Sequence, residues 1–232
     1  MKTIGIIGGM SWESTIPYYR HINEAVKERL GGLHSARIVL VSVDFHDIET
    51  LMRAGNWDAV GSALAEAART LECAGADFIV LATNTMHRVA ETIAAAVDVP
   101  LLHIVDPTAH AIKAAGQRRI GLIGTRFTME EAFYRERLQT RHSIEVLVPE
   151  EADRALVHRV IFEELCLGVI NPQSRDAYRT VMRALAARGA QGIILGCTEF
   201  SLLIGADDAE VPLFDTTALH ARAAADAALA ND

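Results

Sequence analysis

Two residues in this 232-residue chain point most directly to chemistry. They are Cys197, set in Gly196-Cys197-Thr198-Glu199, and Thr83, set in Ala82-Thr83-Asn84-Thr85. A thiol carries protons near neutral pH, and one placed where a helix begins can have its pKa lowered into a working range. A threonine hydroxyl is a poor base in water. Two proton-handling positions are nevertheless what a reaction on both faces of one carbon needs. Repetition ties the two together. The segment from Ala74 to Thr85 reads like the segment from Arg188 to Glu199: a glycine turn, an apolar strand, then a small polar triplet. The segment from Thr3 to Met10 likewise reads like that from Arg119 to Arg126. Cys197 lies 114 residues after Thr83, and Ile120 lies 116 after Ile4. Two matched segments at nearly one spacing predict a duplicated α/β unit, with Thr83 and Cys197 in equivalent places at strand ends.

Each of these residues has a plainer reading beside it. Cysteine is among the most buried residue types, so Cys197 also fits a small core position. Thr83 fits a helix cap or a hydrogen bond to a ligand. Asn84 and Thr85 suit a carboxylate ligand and suit turns equally well. Glu199 would orient Cys197, bind an ammonium group, or sit as a carboxylate at a helix amino terminus.

The elements that position these residues emerge from short apolar runs alternating with helical stretches. Strands are predicted over Thr3–Gly8, Arg37–Asp44, Phe78–Ala82, Leu101–His103, Arg119–Gly124, Ile144–Val148, Ile193–Gly196 and Leu213–Asp215. Their continuous apolar character fits parallel strands covered on both faces. Helices are predicted over Ser14–Leu30, Trp57–Ala74, Met86–Val97, Pro107–Ala115, Thr128–Arg141, Glu151–Leu167, Gln173–Arg188 and Thr217–Leu229. Right-handed βαβ crossovers then give an α/β fold of two pseudo-twofold-related lobes, each a roughly four-stranded parallel sheet flanked by helices. Residues 1–105 with 206–232 are expected to form the first lobe and 106–205 the second, with the active site in the cleft between them. Ligands of open parallel sheets bind beyond the carboxyl ends of the strands. Met10, Ser11, Asn84, Thr85, Thr125, Thr198 and Glu199 fall there and are the candidate substrate-binding residues. Helix amino termini at these places offer unpaired N–H groups suited to a carboxylate or phosphate. Trp12, Tyr18 and Tyr19 read as the buried face of the opening helix. Cys73 and Cys166 read as packing residues, and His46, His87 and His103 fall near predicted strand ends.

Composition removes several function classes. Half the chain is hydrophobic, enough for a sizeable core, and the net charge of −8 comes without a long Lys/Arg block. Nucleic-acid and anionic-membrane binding are therefore not expected. No run approaches the ~20 apolar residues of a membrane span. Three widely spaced cysteines read as free thiols in a reducing, cytoplasmic setting. Gly5-Ile6-Ile7-Gly8-Gly9 departs from the dinucleotide fingerprint, and no metal-ligand spacing or phosphate-binding loop is present.

The chain resembles the cofactor-independent aspartate/glutamate/hydantoin racemase family nearly end to end. The resemblance rests on Gly8-Gly9-Met10-Ser11-Trp12-Glu13-Ser14-Thr15, Thr83-Asn84-Thr85-Met86-His87, Gly196-Cys197-Thr198-Glu199 and Val211-Pro212-Leu213-Phe214-Asp215. It implies a two-lobed homodimer that acts on an amino acid without pyridoxal phosphate or metal. It also implies two cysteines flanking the α-carbon, one removing the proton and the other returning it. Cys197 matches the second of these, whereas Thr83 stands where the first is expected. This departure implies strong asymmetry between enantiomers, and the Thr-Asn-Thr-Met-His version is similar to a branch specific for L-aspartate and L-glutamate. Leu167 stands where relatives carry a lysine that holds the distal carboxylate. The expected function is amino-acid racemisation by 1,1-proton transfer. The rivals are a one-cysteine decarboxylase or lyase of the same superfamily and a non-catalytic amino-acid-binding sensor.

Overall fold

A computed structural model describes residues 1–230 of the chain. In chain order the elements are β1 (Thr3–Gly8), α1 (Trp12–Leu30), β2 (Arg37–Ser42), α2 (Phe45–Arg53), α3 (Trp57–Cys73), β3 (Phe78–Leu81), α4 (Ala90–Ala94) and β4 (Leu101–Leu102). They continue with α5 (Val105–Ala114), β5 (Arg119–Gly124), α6 (Arg126–Glu130), α7 (Ala132–His142), β6 (Glu145–Leu147), α8 (Glu151–Glu163), α9 (Pro172–Ala187), β7 (Ile193–Gly196), β8 (Leu213–Asp215) and α10 (Thr216–Leu229). Short 3₁₀ turns cover Thr85–Val89, Leu165–Leu167, Phe200–Leu202 and Ala206–Asp208.

The strands form two four-stranded sheets, ordered β2-β1-β3-β4 and β6-β5-β7-β8. Every pairing is parallel. The two sheets are wound identically, and their registers coincide. Gly5 pairs with Ile79 in the first sheet, and Gly121 pairs with Ile193 in the second. These are the two spacings read from the sequence, 116 residues on the inner strand and 114 on its neighbour.

The match extends to packing. A β-carbon added at Gly5 would stand 3.2 Å from both Leu71 and Ile79. One added at Gly121 would stand 2.6 Å from Ile193 and 3.0 Å from Leu185. Leu185 and Ile193 occupy, in the second repeat, the places of Leu71 and Ile79. In each unit the strand glycine lets a crossover helix lie close on the sheet.

The chain divides into two compact units, Met1–His103 with His220–Asp232 and Ile104–Leu219. In the first, one face of the sheet buries Ile4, Ile6, Phe78 and Val80 against Tyr18, Ile22 and Val26 of α1 and Ala221, Ala224, Ala225 and Ala228 of α10. In the second, α8 and α9 cover one face and α5 and α7 the other. The expected lobe boundary shifts here. Residues 206–219, expected in the first lobe, belong to the second unit. Leu213–Asp215 pairs with β7, so the return to the first unit begins only at His220.

Local chemistry explains the other departures. The sequence pattern predicts no helix over Phe45–Arg53, yet Asp44 ends the strand early and caps α2 by accepting from His46 N–H at 2.9 Å. Residues Thr128–Arg141 do not run as one helix, because Glu131 takes an extended conformation between α6 and α7. On α1, Tyr18 is buried while Trp12 and Tyr19 are 62% and 58% exposed. The expected buried aromatic face therefore reduces to Tyr18. Ser11 takes the N-cap position of α1 without a side-chain cap bond.

Candidate active site

In each sheet the chain first crosses to one side of the inner strand and then to the other. The gap between β1 and β3, and that between β5 and β7, is therefore a topological switch point. Ligands of open α/β sheets bind at such points, beyond the carboxyl ends of the strands. The structure sorts the sequence-derived residues into two groups on this basis. Met10 and Ser11 follow β1, and Thr83, Asn84 and Thr85 follow β3, in the first unit. Thr125 follows β5, and Cys197, Thr198 and Glu199 follow β7, in the second. All nine are buried, between 2% and 7% exposed.

The loop after β1 is shaped by α1. Gly9 has φ of +90°, and a β-carbon there would stand 2.3 Å from the Val43 carbonyl oxygen, so only glycine fits. Gly9 N–H donates to Thr15 Oγ1 at 2.8 Å. Thr15 and Ser14 hydroxyls in turn donate to the Ser11 carbonyl at 3.0 and 3.1 Å. First-turn hydroxyls of the helix thus fasten the loop that carries Met10 and Ser11, whose shared peptide bond is cis. The resemblance names Thr15 and Ser14 only as part of a motif; their bonds show what the two hydroxyls do.

The turn after β3 is tied differently. Thr83 N–H donates to the Leu81 carbonyl at 2.8 Å. His87 Nδ1 lies 2.7 Å from the Thr83 carbonyl oxygen. A carbonyl only accepts, so Nδ1 carries the proton and donates. In an α-helix that carbonyl would receive His87 N–H. Here His87 N–H goes instead to the Asn84 carbonyl at 3.1 Å. One residue's ring replaces its own amide, so the segment starts as the 3₁₀ turn Thr85–Val89 rather than as the predicted helix from Met86. The sequence marks His87 only as a residue near a strand end.

The turn after β7 holds a side chain rather than a carbonyl. Cys197 Sγ donates to Glu199 Oε2 at 3.0 Å, and Thr198 Oγ1 donates to the same oxygen at 3.0 Å. The Cys197 carbonyl accepts from Phe200 N–H at 3.2 Å. Burial pushes the Cys197 thiol pKa well above its ordinary value, and the neighbouring Glu199 charge pushes it further in the same direction. The expected lowering is therefore reversed. That expectation needs a helix amino terminus at the thiol. The chain instead enters a three-residue 3₁₀ turn, Phe200–Leu202, with a carboxylate beside the sulfur. Cys197 in this state is a protonated donor with a base already bonded to it. Thr125 caps α6 by accepting from Thr128 N–H at 3.3 Å.

Cys73 is exposed, correcting its expected packing role. Cys166 is partly buried against the core of the second unit. Leu167 is 67% exposed, on the 3₁₀ turn that Gly168 closes.

Known proteins share this fold and sequence. A Yersinia pestis protein described as a candidate Asp/Glu racemase is 60% identical, covering 99% of this chain and all of its own, with a TM-score of 0.92. An aspartate racemase homologue from Pyrococcus horikoshii OT3 is 34% identical over 98% of this chain and 99% of its own, with a TM-score of 0.84. The broad specificity amino-acid racemase RacX of Bacillus subtilis is 26% identical over 94% of this chain and 95% of its own. The Asp/Glu/hydantoin racemase family model matches residues 7–224, so a chain with two identically wound sheets and a polar turn at each switch point belongs to that family.

Proposed function

We propose that the protein interconverts the enantiomers of aspartate or glutamate by 1,1-proton transfer, with preference for the L-enantiomer. The observation that carries this reading is the register. Ile79 pairs with Gly5 and Ile193 pairs with Gly121, and these are matching steps of two identically wound sheets. Thr83 lies four residues past Ile79, and Cys197 lies four past Ile193. A duplicated frame that delivers one proton-handling group from each copy suits a reaction on both faces of one carbon.

On the Cys197 side, Glu199 takes the thiol proton and leaves a thiolate. The thiolate removes the α-proton of the substrate, and the neutral carboxylic acid of Glu199 holds the proton it received. In the reverse sense the thiol delivers its proton to the carbanion and regains one from Glu199. On the other side the Thr83 hydroxyl, or a water bonded to it, gives its proton to the opposite face of the carbanion, and the proton held by Glu199 returns through solvent to replace it; the reverse reaction runs the same steps backwards. Met10, Ser11, Asn84, Thr85, Thr125 and Thr198 would hold the substrate, and hydroxyls and amides aimed at its carboxylate would stabilise the developing enediolate. The chemistry needs no cofactor. Proton NMR of L- and D-aspartate and glutamate in deuterated buffer tests the reading. Loss of the α-proton signal with appearance of the opposite enantiomer is expected; unchanged spectra for all four would overturn it.

One observation favours a second reading. A thiol kept protonated by burial and by Glu199, with threonine at the matching position, equally suits an enzyme that protonates a carbanion on one face after loss of carbon dioxide. Release of carbon dioxide from a substituted malonate would single out that activity.

The protein is also proposed to work as a homodimer. Trp12, Ile16 and Tyr19 recur along one side of α1 and are 62%, 50% and 58% exposed, an apolar stripe that a second copy would cover. Light scattering on an Ile16→Glu variant should show monomer where the native chain shows dimer.

A further inference from the structure

We infer that His87 is a positioning residue for the Thr83 half of the reaction, holding the Thr83 turn through its main chain. The inference rests on the racemase reading and adds to it a residue that touches no reacting atom.

Three parts of the first unit meet at this imidazole: its own turn, the segment after β4 and α10. His87 is 3% exposed, on the 3₁₀ turn after β3. Its Nδ1–H reaches the Thr83 carbonyl at 2.7 Å. The His103 ring, just past β4, packs edge-on with centroids 4.4 Å away. The His220 ring, on α10, lies 6.1 Å away. His220 is fully buried and fixed at both nitrogens. Nε2 lies 2.9 Å from the Leu102 carbonyl, so Nε2 donates, and in the neutral ring Nδ1 then accepts from the Tyr18 hydroxyl at 3.0 Å. Each ring nitrogen of His220 thus has one assigned role, and its orientation is locked by α1 and β4. A chain of oriented groups runs from Tyr18 through His220 to His87 and ends on the peptide of Thr83.

The consequence is specific to one repeat. The carbonyl in question belongs to the residue whose hydroxyl must meet the α-carbon, so the bond sets the direction of the Thr83 Cα–Cβ bond. In the second repeat the residue four beyond Cys197 is Ser201, which is exposed, and the Cys197 carbonyl is bonded by a backbone amide instead. Removing the His87 donor should therefore unsettle one half-reaction and spare the other.

The test uses α-proton exchange in deuterated buffer, followed separately for the L- and D-substrate. Thr83→Val assigns which enantiomer depends on Thr83, and Cys197→Ser assigns the other. His87→Leu keeps the bulk and loses the donor; His87→Asn places an amide N–H near the Nδ1 position. Since a misplacement near 1 Å costs up to roughly a hundredfold, His87→Leu should slow exchange of the Thr83-dependent enantiomer by about tenfold or more. Exchange of the Cys197-dependent enantiomer should stay within about twofold, and His87→Asn should recover most of the loss. Equal loss for both enantiomers, no loss, or no recovery with asparagine would overturn the positioning role while leaving racemisation in place. Absence of exchange in the native protein would overturn the racemase reading itself, and the role with it.

Discussion

The turns after β3 and β7 share a register and differ in what they grip. After β3 an imidazole holds the Thr83 carbonyl, and after β7 a carboxylate holds the Cys197 thiol. The first arrangement fixes where a side chain points. The second fixes where a proton resides. Duplication supplied one backbone frame twice, down to a strand glycine facing the same pair of leucine and isoleucine in each sheet. The two copies differ in the few residues after each strand. Under the proposed reaction, the difference implies that its two halves fail in different ways when disturbed.

The sharpest break is expected at the thiol. Cys197→Ser replaces the group bonded to Glu199 with a hydroxyl far harder to ionise. Racemisation should fall by about 10²–10⁴-fold, the range for loss of a general acid–base group. Thr83→Val should cut exchange of one enantiomer only, without approaching that loss for the other. Proton NMR in deuterated buffer, followed separately for each enantiomer, checks this, and an equal collapse in the two variants would erase the proposed asymmetry.

A second break tests the frame rather than the site. Gly5→Ala would bring its β-carbon within 2.7 Å of the Ala76 β-carbon, which is anchored to the backbone. Gly121→Ala would meet the Ile193 Cδ1 at 2.6 Å, the far end of a side chain that can rotate. Overpacking typically costs about 1–3 kcal/mol, and the replaced glycine returns about 0.4–1 kcal/mol through the unfolded chain. Gly5→Ala should therefore destabilise clearly, and Gly121→Ala little or not at all. Urea unfolding of the two variants decides the order; a larger loss at Gly121 would contradict it.

The frame is legible in the sequence because it rests on repetition and apolar runs. Glycine turns and strand residues recur at 114 and 116 residues, and the register reproduces both values. The two-sheet α/β fold and the family can be read from the same residues, whereas the site is only partly legible. Spacing places Thr83 and Cys197 at strand ends, but the direction of the thiol shift depends on burial and on which way Glu199 turns, and neither is periodic. The lobe boundary is hidden because Leu213–Asp215 is three residues long and its partner strand cannot be read locally. Trp12 and Tyr19 read as core residues because aromatic residues at helical spacing usually belong there; on α1 that face is open.

A third change makes the two repeats more alike. Thr83→Cys would place a thiol at both strand ends. If threonine merely weakens a two-base machine, activity toward the slower enantiomer should rise by about tenfold, a barrier change of roughly 1.4 kcal/mol. The new thiol would still lack a counterpart to Glu199, since Thr85 occupies the matching position. No gain would mean that the first turn has been rebuilt around a hydroxyl.

The smallest and most informative change is Glu199→Gln, which removes the charge and keeps the shape. Burial is the larger cause of the raised Cys197 pKa and the Glu199 charge the next. The thiol pKa should therefore fall in the variant yet stay above its ordinary value. Thiolate absorbance near 240 nm, read with Cys73 and Cys166 replaced by serine, tracks the shift. Stability gives an independent check. A thiol whose folded pKa is raised stays protonated where the unfolded chain, at about pH 8.5, has already lost its proton. The stability it contributes is whole below that pH and is lost as pH rises toward the folded value. The native protein should thus lose melting temperature in alkali, Glu199→Gln should lose less, and Cys197→Ser should lose none from this source. If Glu199 acts only through its field, an easier ionisation should make the variant faster at neutral pH. If it accepts the thiol proton, the variant should be slower although its thiol ionises more readily. The opposite movement of rate and pKa is the expected outcome, because the carboxylate lies 3.0 Å from the sulfur as its hydrogen-bond acceptor, and glutamine offers no comparable base.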